Sequence, residues 1–462
     1  MIKKLFKDSL FVFASKNAIK ILRVLLIIQL STNFEPALFG QIMLCFLFIE
    51  LPEILSFGMT SAIIQKSTNI KDYNLAWTFD KFIIKSFFIL FFISLVVLKI
   101  NVELKNVFLL LALKVLIEVF ENNSFLFLTI NLNFKKRILL ELPIILGLFS
   151  LNIIAYLDLL TLNSLLSTYV SIALLRTIIS YILYPRFVSF CFDLHLFKSF
   201  WVFSKWIFLR NFSQKLSENI DSYIFSISVG LESFGIYQFL KKIAVQLFAQ
   251  IQSTIDRIMF PLLSRKTNPK LVSKLTRTVL SISIIIMQLF IIVFVIFYEK
   301  YNYLLSINFS DSKTLFLFLL IGFLKNIVDQ NSVYLRSKGE SKLEFKLKFS
   351  RTLLYTLGLI LILNIYGFNI ELIAWIILIS ESIVLLLSIF YMKNNFPFRI
   401  DLFLSKRILI IPVITITILS LTNSLEFLPR LFSSVGIYVI IIFSLVYSNN
   451  LNEIKNILKK IL

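Results

Sequence analysis

The chain has 462 residues, 58% of them apolar and only 16% charged, with 50 phenylalanines and a formal charge of +21. Soluble domains hold about 45–50% apolar and about 25% charged residues, so a soluble architecture is excluded. The surplus of lysine and arginine is then a topology signal for a bilayer rather than a nucleic-acid footprint, and no nucleic-acid partner is expected.

A helix needs about 20 apolar residues to cross a hydrocarbon core of roughly 30 Å. Taken along the chain, that criterion predicts about fourteen spanning helices. They lie near 9–31, 37–64, 76–98, 104–131, 139–157, 160–184, 201–229, 233–262, 276–298, 313–337, 350–367, 370–392, 406–422 and 428–448. The first apolar stretch carries Lys16, Lys20 and Arg23 and has no small-residue cleavage site, so it reads as a retained helix rather than a leader. In the second, Glu50 and Glu53 flank Pro52 and read either as the closure of a bend or as a proton site. Cys45 and Cys191 are too few for a disulfide framework. The fold class is therefore an all-α polytopic membrane protein.

The loops count the helices independently. Basic residues gather at the N-terminus (Lys3, Lys4, Lys7) and in every second loop, as at Lys135–Arg137, Arg265–Arg277 and Arg336–Arg351. The alternate loops carry only Lys99, Lys105, Lys300, Lys313 and Arg430. By the positive-inside rule both termini are cytoplasmic. No outer loop exceeds about 15 residues, which leaves no room for an extracytoplasmic domain.

The chain also repeats itself. Asn17, Phe39-Gly40 and Gln65–Lys71 are echoed about 195 residues later by Asn211, Phe234-Gly235 and Ser264–Lys270. Six helices separate the copies, so both enter the membrane in the same direction. This predicts two parallel six-helix lobes, 1–190 and 191–395, with the substrate between them, and an appended helix pair at 396–462.

Leu38-Phe39-Gly40 followed by Phe57–Gln65 resembles the start of the Wzx-type polysaccharide flippases, which carry O-antigen and capsule repeat units and belong to the MATE-like superfamily. Asp221 with Ser228-Val229-Gly230 and Ser233–Tyr237, and Ser337-Lys338-Gly339 after the tenth helix, are similar to further motifs of that family. One departure is Ser233-Phe234 before Gly235, where the family has Leu-Gly. The resemblance implies paired lobes, alternating access, a bacterial inner-membrane location, and an undecaprenyl-pyrophosphate-linked oligosaccharide as cargo.

Charges inside predicted spans are functional candidates by default, because each is costly at the bilayer centre unless it meets water or a partner. Lys16, Lys20 and Arg23 share one face of the first helix. Arg210, Gln214, Ser217 and Asp221 line the seventh, with Lys215 and Glu218 adjacent. Gln238, Lys242, Gln246, Gln250, Ser253 and Arg257 form a stripe on the eighth, and Lys325, Asp329, Ser332 and Arg336 one on the tenth. A lipid-facing stripe of that length would not insert, so these line a hydrated cavity. The expected substrate ligands are Lys16, Lys20, Arg23, Arg210, Lys215, Lys242, Arg257 and Lys325, since Arg holds a pyrophosphate bidentately and Lys as a point charge. Glu218, Asp221 and Asp329 are the expected sites of an H⁺ or Na⁺ counter-ion. Elsewhere the reading is plainer: Lys81, Lys85 and Lys205 snorkel to the cytoplasmic side, and Lys114, Glu118 and Glu121 pair across helix turns.

An enzyme is disfavoured, for there is no glycine-rich phosphate loop, no metal-spaced Cys/His set and a single histidine, His195. No catalytic residue, metal or cofactor is expected. The remaining alternatives are a peptidoglycan lipid-precursor flippase, which shares the cationic cavity, and a cation-coupled multidrug exporter, which would favour an acidic one.

Overall fold

The computed structural model describes residues 2–53, 70–97, 102–122, 138–185, 189–244, 248, 252, 284, 286–296, 312–337, 340–367, 369–395, 429 and 433–438. Among these there is no strand, and the protein is an all-α membrane protein. The chain divides into two compact units, Met1–Phe239 and Leu240–Leu462.

The first unit opens with α1 (Ile2–Asn33) and α2 (Pro36–Glu50). Pro36 sits in the first turn of α2, where its missing N–H costs nothing. The bend expected at Pro52 is a 3₁₀ turn over Leu51–Glu53. The third predicted helix begins earlier than its apolar stretch, as α3 (Ile70–Trp77). It passes through a π turn, Thr78–Ile83, before continuing as α4 (Ile84–Val97). Next comes α5 (Val102–Val119), which breaks at Phe120, where the Asn122 N–H donates to Ser180 Oγ and its side chain to the Tyr184 carbonyl. The reading of one span through 131 therefore meets a turn at 120–122.

Two more helices, α6 (Leu142–Tyr156) and α7 (Leu162–Leu183), follow within the predicted limits. Thr161 and Ser164 close a capping box at the start of α7, satisfying two otherwise orphaned donors. Packing runs α4 to α5 to α7 to α6 to α1. Asn152 of α6 donates to the Leu22 carbonyl of α1 at 3.1 Å, and Asn33 donates to the Ala155 carbonyl at 2.9 Å.

Asp193 starts α8 (Leu194–Ser228) by accepting from the His195 and Leu196 amides, both at 3.0 Å. After Gly230 the chain re-enters a helix, α9 (231–244). The two glycines of the sequence repeat meet here. Gly235 of α9 lies against the Gly40 backbone of α2, and a Cβ on Gly40 would come within 1.9 Å of the Leu231 carbonyl oxygen. Small residues are what allow helix backbones to approach so closely in a membrane. Phe39 and Phe234, the residues before the glycines, are fully buried.

In the second unit, α10 (Ile286–Ile296) precedes α11 (Ser312–Ser337), α12 (Ser341–Tyr366) and α13 (Ile370–Asn395). α13 packs on both α11 and α12. Gly367, at φ +69°, ends α12 in the left-handed region. Four of the described helices are both long and apolar enough to cross a membrane: Leu162–Leu183, Thr314–Leu335, Lys342–Ile365 and Ile370–Tyr391. The appended pair predicted at 406–422 and 428–448 lies almost wholly outside the described residues.

Candidate functional site: charged faces on the long helices

α1 and α8 are 32 and 35 residues long, about 48 and 52 Å at 1.5 Å per residue, well beyond the hydrocarbon core. Neither is apolar enough to count among the plain spans, because charges interrupt both. On α1, Lys20 is half-buried and Arg23 exposed. The side chains of Lys16 and Arg257 lie outside the described residues, as do the motifs Phe57–Gln65 and Ser264–Lys270.

The stripe on α8 is held in order by local bonds. Arg210 donates to Asn211 Oδ1 through Nε at 3.2 Å and Nη2 at 2.8 Å. Gln214 donates to Glu218 Oε1 at 3.1 Å, one turn on, and Ser217 donates to the Gln214 carbonyl. Asp221 is buried and accepts from the Tyr237 hydroxyl of α9 and the Ser222 amide. From Lys205 to Asn219 nearly every α8 side chain is half-buried, Lys215 included. Lys242 is half-buried and belongs to the second unit, while positions 246, 250 and 253 of its stripe are not described.

On α11, Lys325 stands one turn before Asp329 and adds its field there. Asp329 itself is engaged by two cations of α12: Lys348, which donates to Oδ1, and Arg351, 3.2 Å from the same oxygen. Arg351 also approaches Glu381 Oε2 of α13 at 3.0 Å, as a charge contact without hydrogen-bond alignment. The Tyr355 hydroxyl donates to Glu381 Oε1 at 2.5 Å. Charge alone groups Lys348 and Arg351 with a cytoplasmic loop, and the fold instead buries both inside α12. The signal that points to them is the pair of acids, Asp329 and Glu381, in apolar stretches that demand partners.

The snorkelling assigned to Lys81 and Lys85 is corrected. Lys81 pairs with Glu121 at 3.1 Å and Lys85 with Glu118 at 2.7 Å, across to the turn that follows α5 and to α5 itself. The pairing expected within α5 is present for Lys114 and Glu118 at 2.8 Å, while Glu121 also takes Arg176 of α7 at 3.0 Å. Buried acids on a facing element outcompete the climb to water.

The fold and these charged faces define a class, the multi-pass α-helical membrane protein. The backbone is similar to a lipid II flippase MurJ in an inward closed conformation, at 16% identity and a TM-score of 0.65 over 96% of this chain and 99% of that one. It is also similar to an outward-facing MATE multidrug resistance transporter of the MOP superfamily (15% identity, TM-score 0.57, 84% of this chain and 94% of that one). A third likeness is to the MATE multidrug transporter DinF-BH (14% identity, TM-score 0.52, 85% of this chain and 95% of that one). No functionally curated sequence matches the chain. Residues 34–314, more than half its length, match the polysaccharide biosynthesis protein family, and the chain belongs to that family.

Proposed function

We propose that the protein is a flippase that moves an anionic polyprenyl-pyrophosphate-linked oligosaccharide from the cytoplasmic to the outer leaflet of a bacterial inner membrane. The product would serve surface polysaccharide such as O-antigen or capsule. The observation that carries this reading is the charged, half-buried face of α8, in a helix long enough to span, within a chain of the polysaccharide biosynthesis family. Arg210 and Lys215 on α8, with Lys20 and Arg23 on α1, are the cations assigned to the pyrophosphate, joined by Lys16, Lys242, Arg257 and Lys325. Water and the polar side chains of the stripe suffice for the sugars, and the polyprenyl tail stays in lipid.

Both termini are assigned to the cytoplasm, and the chain is read as six-helix halves 1–190 and 191–395 with 396–462 appended. No covalent step is needed. With the cytoplasm negative, outward movement of one negative charge gains roughly 2.3 kcal/mol per 100 mV. Glu218, Asp221 and Asp329 are assigned to an H⁺ or Na⁺ counter-ion.

A second reading, a flippase of peptidoglycan lipid precursor, is favoured by the likeness to the lipid II flippase structure, which covers nearly the whole chain. One experiment separates the two: mass analysis of lipid-linked saccharides stranded in the cytoplasmic leaflet of a deletion strain. A surface-polysaccharide intermediate supports the first reading, and a cell-wall precursor with lysis replaces it by the second. In the same strain, Arg210→Ala and Lys20→Ala should each lower surface polysaccharide severalfold at unchanged protein level. Arg210→Lys should retain part of it, since the demand is for charge in a fixed place. Wild-type amounts after neutralising Lys20, Arg23, Arg210 and Lys325 together, in inserted protein, would end the anion-cavity mechanism.

A further inference from the structure

Glu118 and Glu121 each face two cations, Asp329 is held by Lys348 and Arg351, and Glu381 takes Arg351 and the Tyr355 hydroxyl. Glu218 accepts from Gln214, and Asp221 from Tyr237. Glu50, the last residue of α2, differs from all of these. It is half-buried, yet no ion pair or hydrogen bond reaches its carboxylate among the described residues. Fourteen steps after Pro36 it stands about 21 Å along the helix, inside a predicted span that crosses a hydrocarbon core of roughly 30 Å. A charge without a counter-charge is strongly disfavoured there, so such an acid either meets water or takes up a proton.

The neighbouring helices supply no cation. α2 is in contact with α1, α4, α5, α7, α8 and α9. Lys85, Lys114 and Arg176 of α4, α5 and α7 are committed to Glu118 and Glu121. Lys20 and Arg23 of α1 make no pair with Glu50, and on α8 and α9 the acids Glu218 and Asp221 are bonded to Gln214 and Tyr237. The side chain of Glu53, on the turn that follows, lies outside the described residues. What α8 does bring is Tyr223, on whose hydroxyl the charge of Glu50 acts. That hydroxyl is buried and has no hydrogen-bond partner, a costly state that native proteins rarely leave unanswered. An acid lacking a donor and a hydroxyl lacking an acceptor thus stand on the two sides of one helix contact.

We propose that Glu50 is a proton-binding site, with Tyr223 as the residue that positions its carboxyl. Binding takes one H⁺ from water and forms one O–H bond on the carboxyl; release returns the proton to water and restores the carboxylate. The neutral acid needs no cation in the apolar interior, and a tyrosine hydroxyl serves both states, donating to the carboxylate and accepting from the acid. The site is separate from the counter-ion residues assigned on α8 and α11, and it does not depend on which saccharide the protein handles.

The test is labelling of the purified full chain, in lipid vesicles, by dicyclohexylcarbodiimide, with the adduct located by peptide mass spectrometry. This apolar reagent adds across the O–H of a neutral carboxyl, the proton passing to a reagent nitrogen, and spares carboxylates. Glu50 should be labelled, with a rate that falls about tenfold per unit on the alkaline limb of its pH profile. The ion-paired Glu118, Glu121, Asp329 and Glu381 are internal controls and should stay unlabelled. Glu50→Gln should abolish the adduct and Glu50→Asp should keep part of it. Tyr223→Phe should raise the rate severalfold and move the pH profile, because the carboxylate form loses its donor; an unchanged profile overturns the pairing. Glu50 left unlabelled at every pH, or labelled at a rate indifferent to pH, overturns the proton site. Slowing of the reaction by Na⁺ at constant pH overturns it too, in favour of a metal cation. Because the readout is an adduct on purified protein, failure here is distinct from failure of the export experiment.

Discussion

The protein buries charge twice, with the same residue types and different connectivity. Between α11, α12 and α13 the signs alternate along the contacts Lys348 to Asp329 to Arg351 to Glu381; Arg351 is 1% exposed and Glu381 0%. Between α4, α5 and α7 each carboxylate has two cations, and Arg176 stays partly open. The first set behaves as a fastener, in which every ion is required by its neighbours. In the second set a carboxylate that loses one cation still faces another.

The sharpest way to break this contrast is to remove one cation from each set. Arg351→Ala takes the cation away from Glu381 and leaves Asp329 to Lys348, and removing one partner of a buried pair costs about 3–5 kcal/mol. Loss of folded, monodisperse protein on size-exclusion and a lowered midpoint of thermal unfolding should both report it. Arg351→Lys should recover little, since an ammonium cannot span two carboxylates on different helices. Glu118→Gln comes next. It leaves Lys85 and the buried Lys114 facing each other, and a loss of about 1–3 kcal/mol is expected by the same measurements. Smallest is Lys114→Met, which leaves Glu118 with Lys85 and should stay within about 1 kcal/mol of wild type. A Lys114→Met protein as unstable as Arg351→Ala would show that the two sets are alike after all.

Much of this architecture is legible in the residues. Hydrophobic length locates α6, α7, α8, α11 and α13, and Pro52 announces the turn at Leu51–Glu53. The i, i+4 spacing of Gln214 and Glu218 appears as the 3.1 Å bond between them. Partners on other helices are not legible. Nothing local to Lys81 or Lys85 points to Glu121 or Glu118 some 33–40 positions away, and the π turn at Thr78–Ile83 alters the face that helical spacing would assign. Lys348 and Arg351 are hidden for another reason: a basic run beside an apolar stretch has the composition of a cytoplasmic loop, and only the start of α12 at Ser341 reveals them as interior. Of the assigned ligands, helical spacing supplies the faces and the fold supplies their neighbours, as with Tyr237 beside Asp221.

The meeting of Gly40 and Gly235 constrains how damage there could be undone. The obstacle to a side chain at Gly40 is the main-chain oxygen of Leu231, and trimming a neighbouring side chain cannot move it. A second-site suppressor of Gly40→Ala would have to reposition the main chain entering α9. Gly230, with nothing within 4 Å of where its Cβ would stand, is the hinge best able to absorb that shift. A genetic selection for restored function should therefore return changes around residues 229–231 before any in the aromatic packing at Phe39 and Phe239, whose rings already meet edge to face.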